Sequence, residues 1–375
     1  MVRIDVSNNA IAGQMLRNNI SSIFPNLVHL NMSRNAIHGS IPHELSHLSS
    51  LEVLDLSDNE LSGEIPNNLF GDGSQLIYLK YLLLGGNGLS GSIPSNLFYL
   101  KDIKCLDISN NNFIGKIPSQ IKNSSNLIEL SMSNNHFEGS ILSEVAKLEG
   151  LIYLDLSQNN LSGCVPSFVN SRAIFIHLSN NKLSCLSKTM FGEKTYLVTL
   201  DLSNNEISNG IHELIHDLRN SMLNFLLLKG NNFTGNIPKQ LCHLTDLDIL
   251  DLSCNNFVGE IPNCLGKMSF ENKDPDATKF NEFRYGIRYM YGRFGQERAN
   301  FTSKKRLETY TTSILIYMSG IDLSHNKLNG SIPSELGNLT RIRSLNLSNN
   351  FLTGKVPATF SNLVQVESLD LSFNM

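Results

Sequence analysis

His212-Glu213-Leu214-Ile215-His216 sets two imidazoles four residues apart, with a carboxylate beside the first. On a helix that spacing puts both rings on one face. They could hold a zinc ion there while Glu213 acts as general base on a metal-bound water, the chemistry of a zinc metalloprotease. Such a centre also needs a helix of several turns and a third ligand from another element. The element that carries the string therefore decides what it can do. Six cysteines, at 105, 164, 185, 242, 254 and 264, are the other groups whose chemistry depends on where the fold puts them.

That fold is written as a repeat. Trp is absent and Asn is abundant, mostly as "NN" or "xN" after "LS". Aligned on L-x-x-L-x-L-x-x-N, the chain gives matching Asn residues at 9, 35, 59, 87, 111, 135, 159, 181, 205, 231, 255, 326, 350 and 374. Most steps are 24 residues, a few are 22, 26 or 28, and one, from Asn255 to Asn326, is 71. After the Asn most units continue "xLxGxIPxxLxxLxx", and "LEVLDLSDNELSGEIPNNL" (51–69) is a clean copy.

The spacing has direct physical consequences. Leu54 and Leu56 alternate with polar neighbours, so they lie on one face of a short strand. A solitary strand of that length is unstable, whereas the same strand stacked from unit to unit makes a parallel sheet. The Asn amide both donates and accepts, so it can satisfy backbone groups that a tight bend would orphan. Pro after Ile fixes φ and suits an extended segment. The later Leu residues fill the core from the other side, each worth roughly 1.5–3 kcal/mol when buried.

These units are identified as leucine-rich repeats, and "LxGxIP" resembles the plant-specific class. The resemblance implies an α/β repeat solenoid: a right-handed superhelix with a parallel concave β-sheet and short 3₁₀ turns on the convex side. It divides the chain into repeats 1–11 (1–265), a non-repeat insert (266–313) and repeats 12–14 (314–375, the last incomplete). Within the repeat, His212 takes the usual Pro position and Ile215 and Leu218 are core residues, so the second His falls in a short outer turn. No third ligand is supplied. Zinc catalysis is not expected, and neither a cofactor nor an enzyme activity is implied.

The insert breaks every repeat rule. It has no Leu periodicity and mixes Phe270, Phe280, Phe283, Tyr285, Tyr289, Tyr291, Phe294, Phe301 and Tyr310 with Arg284, Arg288, Arg293, Arg298, Lys304, Lys305 and Arg306. Aromatics with arginine make recognition surfaces. The same composition also suits a loop that packs its aromatics back onto the solenoid and shields a break in the sheet, and the two readings are compatible. Nucleic acid is not expected as a partner: net charge is −4, the pI is near 6.2, and no RNA-binding motif is present.

The island followed by "GIDLSHNKLNGSIPSELGNLTRIRSLNLSNN" and "FSNLVQVESLDLSFN" resembles the C-terminal ectodomain of plant receptor-like proteins, as does "IPKQLCHLTDLDILDLSCNNFVGEIPNCL" (237–265). That family is anchored at the plasma membrane, lacks a kinase, senses extracellular ligands in signalling and defence, and borrows partner kinases. The resemblance implies a glycoprotein at the cell surface, an extracellular peptide or glycan ligand, and a co-receptor kinase. Membrane attachment is expected only through a helix outside this sequence. Its best apolar run, "SILIYMSGIDL" (313–323), is half of the roughly 20 residues a bilayer needs, and "MVRIDVSNNAIAG" is no signal peptide. The chain starts and stops inside repeats, as a fragment or a truncated product would. Two alternatives stay open: a soluble inhibitor of a secreted hydrolase, similar to polygalacturonase-inhibiting proteins, and the ectodomain of a receptor kinase.

Specific residues follow. Strand positions flanking the buried Leu should face solvent, and most carry the repeat's own Asp (55, 107, 155, 201, 251, 322, 370) with Ser two residues on. Departures from that consensus are the candidate ligand contacts: Tyr153, Phe175 and His177 on adjacent repeats, then Phe225, Leu227 and Lys229, joined by Tyr285, Arg288, Tyr289, Tyr291 and Arg293 of the insert. Cys164 and Cys185 lie at matching positions of adjacent coils, as do Cys242 and Cys264, so two disulfides are expected, with Cys105 and Cys254 free. Sequons at Asn123, Asn160, Asn232, Asn300 and Asn338 are glycosylation candidates. Those at Asn31 and Asn346 sit on strands, where a glycan would block the face.

Overall fold

The computed structural model describes residues 2–15, 20–193, 195–268, 298–304, 306–315 and 317–375. Two compact units divide the chain: Met1–Ala173 with Asn180–Leu183, and Ile174–Ser179 with Ser184–Met375. Each is a stack of coils, and each coil contributes one three-residue strand to a parallel main sheet. In the first unit the strands run from Arg3–Asp5 and His29–Asn31 through Val53–Asp55 to Tyr153–Asp155. In the second they run from Phe175–His177 and Thr199–Asp201 through Ile249–Asp251 to Ser368–Asp370. The register is strict, so Val53, Leu54 and Asp55 pair with Tyr81, Leu82 and Leu83. The central residue of each strand is Leu or Ile, and Leu54, Leu82, Leu200 and Leu250 are fully buried.

Each repeat Asn ties its coil to the one before. Asn59 Nδ2 donates to the carbonyls of Met32, Leu56 and Ser57, while its Oδ1 accepts from the Ile37 amide. The same set recurs at Asn135, Asn255 and Asn350. The residue before each Asn is left-handed, as at Asp58 (φ 55°), Asn110 (φ 52°) and Cys254 (φ 53°). Asn, Asp and Gly tolerate that conformation best, which explains the "NN" bias.

Beyond the Asn a second parallel ladder forms, which the repeat spacing alone did not suggest. It includes Glu60–Glu64, Gly88–Gly91 and Asn112–Gly115 in the first unit, and Thr234–Asn236, Asn256–Glu260, Lys327–Ser331 and Phe351–Thr353 in the second. Extended Pro residues then lead into 3₁₀ turns such as Asn67–Leu69 after Pro66.

Two expectations are corrected. The segment carrying His212 and His216 is an eight-residue α-helix, Ile211–Leu218, rather than a short outer turn. Its stripe of Ile211, Leu214, Ile215 and Leu218 is buried, and Asp217 accepts from the Met190 and Phe191 amides. Both histidines face solvent, and His216 Nδ1 lies 3.0 Å from Arg219 Nη1. Nor is there a break in the main sheet for the insert to shield. Ile249–Asp251 pairs directly with Gly320–Asp322, so the ladder passes across the insertion point.

Candidate functional site

The end of the insert is ordered. Arg298–Ser303 and Arg306–Thr311 form an antiparallel hairpin that leads into a helical turn, Thr312–Leu315. Alternation puts Ala299 and Phe301 on its inner side, and both are buried. They join Phe225, Leu227, Ile249 and Leu315 in one apolar cluster, with Tyr310 and Met318 packed against it. The hairpin therefore lies on the strand face of the second unit. Three polar contacts extend the seat: Lys229 Nζ donates to Thr302 Oγ1 at 2.9 Å, the Lys304 amide donates to Ser368 Oγ at 3.0 Å, and Lys304 Nζ pairs with Glu367 Oε2 at 3.1 Å. Glu367 also binds Arg343. Its carboxyl is held below the usual range, by hydrogen bonding from Lys304 first and from Arg343 next.

Gly320 explains how the seat accommodates a large ring. A Cβ built there would lie 2.6 Å from two ring atoms of Phe301. Other coils carry Val53, Tyr81, Glu129 or Phe225 at that strand position. A Gly at 320, where its counterparts carry side chains, is a signal legible in the sequence that departures toward larger residues do not capture.

The candidate strand residues do not form an open aromatic platform. Tyr153, His177, Phe225 and Leu227 are all buried, and Phe175 and Lys229 are half-buried. In a parallel ladder with strands about 4.8 Å apart, neighbouring side chains on one face cover one another. Phe225 and Leu227 are additionally capped by the hairpin. In the first unit Cys105 Sγ donates to Glu129 Oε2 at 3.4 Å, Tyr153 is the next residue along that row, and Cys105 and Glu129 are buried. Burial pushes the Cys105 thiol well up, with the Glu129 charge second. Tyr285, Arg288, Tyr289, Tyr291 and Arg293 lie outside the described residues.

The consensus Asp row has a structural job. Asp55 Oδ1 accepts from the Ser57 amide and hydroxyl at 3.1 and 2.6 Å, and the motif recurs at Asp107, Asp155, Asp251, Asp322 and Asp370. At exposed Asp5 the Ser7 hydroxyl and amide hold the carboxyl down at about 2. At buried Asp251 desolvation dominates and the Asp322 charge adds to it, pushing the carboxyl up to about 7.

Beside the hairpin, Thr302, Lys304, Asn346, Glu367, Ser368, Leu369 and Asp370 line a polar cleft of about 320 Å³. Cys242 and Cys264 are joined, Cα atoms 5.8 Å apart, and neither Cys164 nor Cys185 is a free thiol. Cys105 and Cys254 are free. Asn123, Asn160, Asn232 and Asn338 are exposed. Asn300 is half-buried, and its Oδ1 accepts from Thr309 Oγ1 at 2.7 Å within the hairpin.

Two family models, both described as leucine rich repeat, match this sequence. One covers residues 2–61 and 315–375, the other residues 78–100, 102–124, 126–148, 150–171, 196–218, 222–244 and 246–268. The chain belongs to the leucine-rich repeat family. This leucine-rich repeat protein is similar to "Receptor-like protein 13" of Arabidopsis thaliana, with 35% identity over 145 residues, 33% of the chain and 13% of the relative. It spans only a small part of the curated relatives it matches. Among solved structures it is similar to "Plant peptide hormone receptor RGFR1 in complex with RGF2", with a TM-score of 0.73 and 30% identity over 100% of the chain and 52% of that chain. It is also similar to the leucine-rich repeat ectodomain of the Arabidopsis receptor kinase HAESA, solved with an IDA peptide hormone ligand, with a TM-score of 0.64 and 27% identity over 99% of the chain and 62% of that chain. Among the described residues no helix is long and apolar enough to cross a membrane.

Proposed function

We propose that this chain is the ligand-recognition part of an extracellular, kinase-lacking receptor-like protein. It takes a peptide on the strand face of its second unit and presents the result to a partner receptor kinase. The hairpin docked across that face carries the reading. A stack of near-identical coils offers much the same Asp and Ser row at every step, and specificity needs something that differs. The hairpin supplies the difference: it walls off a polar cleft beside Asn346, Ser368 and Asp370 and lends Thr302 and Lys304 to its lining. The similarity to receptor ectodomains solved with peptide hormones supports the choice of a peptide. Lys229, half-buried and donating to Thr302 of that lining, is a contact candidate at its margin, and half-buried Phe175 is one farther along the same ladder.

The test replaces residues 270–312 with a flexible linker and checks by circular dichroism that the coils still fold. Both proteins are then screened against an immobilised library of synthetic secreted plant peptides and against receptor-kinase ectodomains. The intact chain should retain a peptide that the replaced chain loses. Equal retention by both proteins would move recognition away from the hairpin, and no retained peptide at all would remove the ligand class.

A further inference from the structure

Along the third position of the main strands an Asp is normally flanked by non-acidic residues. Asp55 lies between Asn31 and Leu83, Asp107 between Leu83 and Ser131, and Asp322 has Asn346 on one side. Asp251 and Asp322 break this pattern: they are ladder partners, side by side, and both are buried. Asp251 Oδ1 is taken by the Ser253 amide and hydroxyl at 3.0 and 2.6 Å. Its Oδ2 is buried without a hydrogen-bond partner among the described residues. Asp322 Oδ1 is taken by Ser324, and its Oδ2 accepts from Asn346 Nδ2 at 3.1 Å. Two adjacent carboxylates out of water, one with an orphaned oxygen, resist carrying two charges.

The nearby cation is Lys229, and its ammonium is also one of the hairpin's three polar anchors, through Thr302. One residue thus serves both the acidic pair and the strap above it. We propose that the hairpin is a proton-sensitive strap: docked, the Asp251–Asp322 pair carries one negative charge opposite Lys229, and loss of the remaining proton to solvent loosens it. A second charge draws water toward the pair and draws Lys229 away from Thr302. The Phe301 ring on Gly320 then holds the hairpin with less help.

The direction with pH follows from burial. The Asp251 carboxyl sits at about 7 against an ordinary 3.8, and Asp322 is raised too, by desolvation first. The docked form therefore holds its proton to a higher pH than a more hydrated pair does. Docking is strongest where the pair keeps that proton, weakens as pH rises toward 7, and levels off above it. Burial pushes the Cys254 thiol above 9 and the Tyr310 hydroxyl above 10, and Glu367 is held low, so none of the three competes in that window. Asp201 and Asp370 stand beyond Leu227 and Asn346. Lys304, Arg298, Arg306 and Glu308 belong to the hairpin, and exposed His325 follows Asp322.

Hydrogen–deuterium exchange on the full chain tests this strap, read as protection factors so that the intrinsic pH dependence of exchange divides out. Protection of residues 298–304 and 306–311 should fall by at least about tenfold between pH 5 and pH 8. Asp251→Asn should hold high protection at both values. Asn fits this row without strain: Asn346 Oδ1 accepts from the Ser348 amide and hydroxyl as Asp251 does from Ser253. Asp322→Asn should act in the same direction and decides the matter if Asp251→Asn fails to fold. Glu308→Gln and His325→Gln should leave the fall intact. Constant wild-type protection, an undiminished fall in the Asn variants, or abolition by either control would each overturn the strap.

Discussion

The Phe301 ring lies against the α-carbon of Gly320, filling the space where a β-carbon would stand. The hairpin and the main sheet fit because one strand of the row carries no side chain at its first position. Gly320→Val should therefore unseat the hairpin while leaving the coils folded. The expected cost is about 1–3 kcal/mol, the usual range for overpacking. Hairpin amides should lose protection with no change in far-ultraviolet circular dichroism. Retained protection would mean that the Phe301 ring finds another rotamer.

Asn135 makes four hydrogen bonds, three from Nδ2 to the carbonyls of Ile108, Met132 and Ser133 and one to Oδ1 from the Phe113 amide. Asn135→Ala orphans the buried Phe113 amide, while the carbonyls of Ile108, Met132 and Ser133 keep the Asn111 and Asn159 side chains and the Asn110 amide as donors. One orphaned amide costs roughly 1–3 kcal/mol, so a loss of about 2 kcal/mol in urea unfolding is expected. A loss under about 1 kcal/mol would show that water replaces the amide.

The disulfide between Cys242 and Cys264 closes a separation of 22 residues. Replacing both cysteines with Ser should lower stability by about 3 kcal/mol through the freed unfolded chain. Peptide mapping without reductant should find this pair joined and Cys105 and Cys254 as free thiols. A Cys105–Cys254 link would overturn the register of the coils.

His212 and His216 face solvent on the Ile211–Leu218 helix, and no acidic, cysteine or further histidine group completes a ligand set with them among the described residues. Purified protein should carry no stoichiometric zinc, and His212→Ala should change stability by less than about 0.5 kcal/mol. Elemental analysis showing one zinc per chain, lost in the variant, would reverse this reading.

The repeat was legible because its physics is periodic: Leu54 and Leu56 alternate, Asn59 closes the turn, and Pro66 sets up the next segment. The second ladder was harder to see, since Glu60–Glu64 reads as polar and its strand character comes from stacking rather than composition. The helix at Ile211–Leu218 replaces a 3₁₀ turn where His212 takes the place of Pro, a substitution that restores an amide donor. The site was less readable. Tyr153, His177 and Phe225 stood out as departures from consensus, but departure does not measure exposure: ladder neighbours bury them, and the hairpin covers Phe225 as well. The Asp251–Asp322 adjacency follows only once the insert is skipped in counting strands.

Within each unit the Asn amides bind a coil only to itself and the coil before it, so a load pulling the stack apart meets a row of equal, independent joints. The hairpin changes that locally. Phe301 grips Phe225, Ile249 and Gly320, while Lys304 reaches Ser368, so one short ribbon spans five successive strands and fastens four of them. Stretched from its ends, the second unit should yield its outlying coils in small steps and this spliced section in one larger rupture.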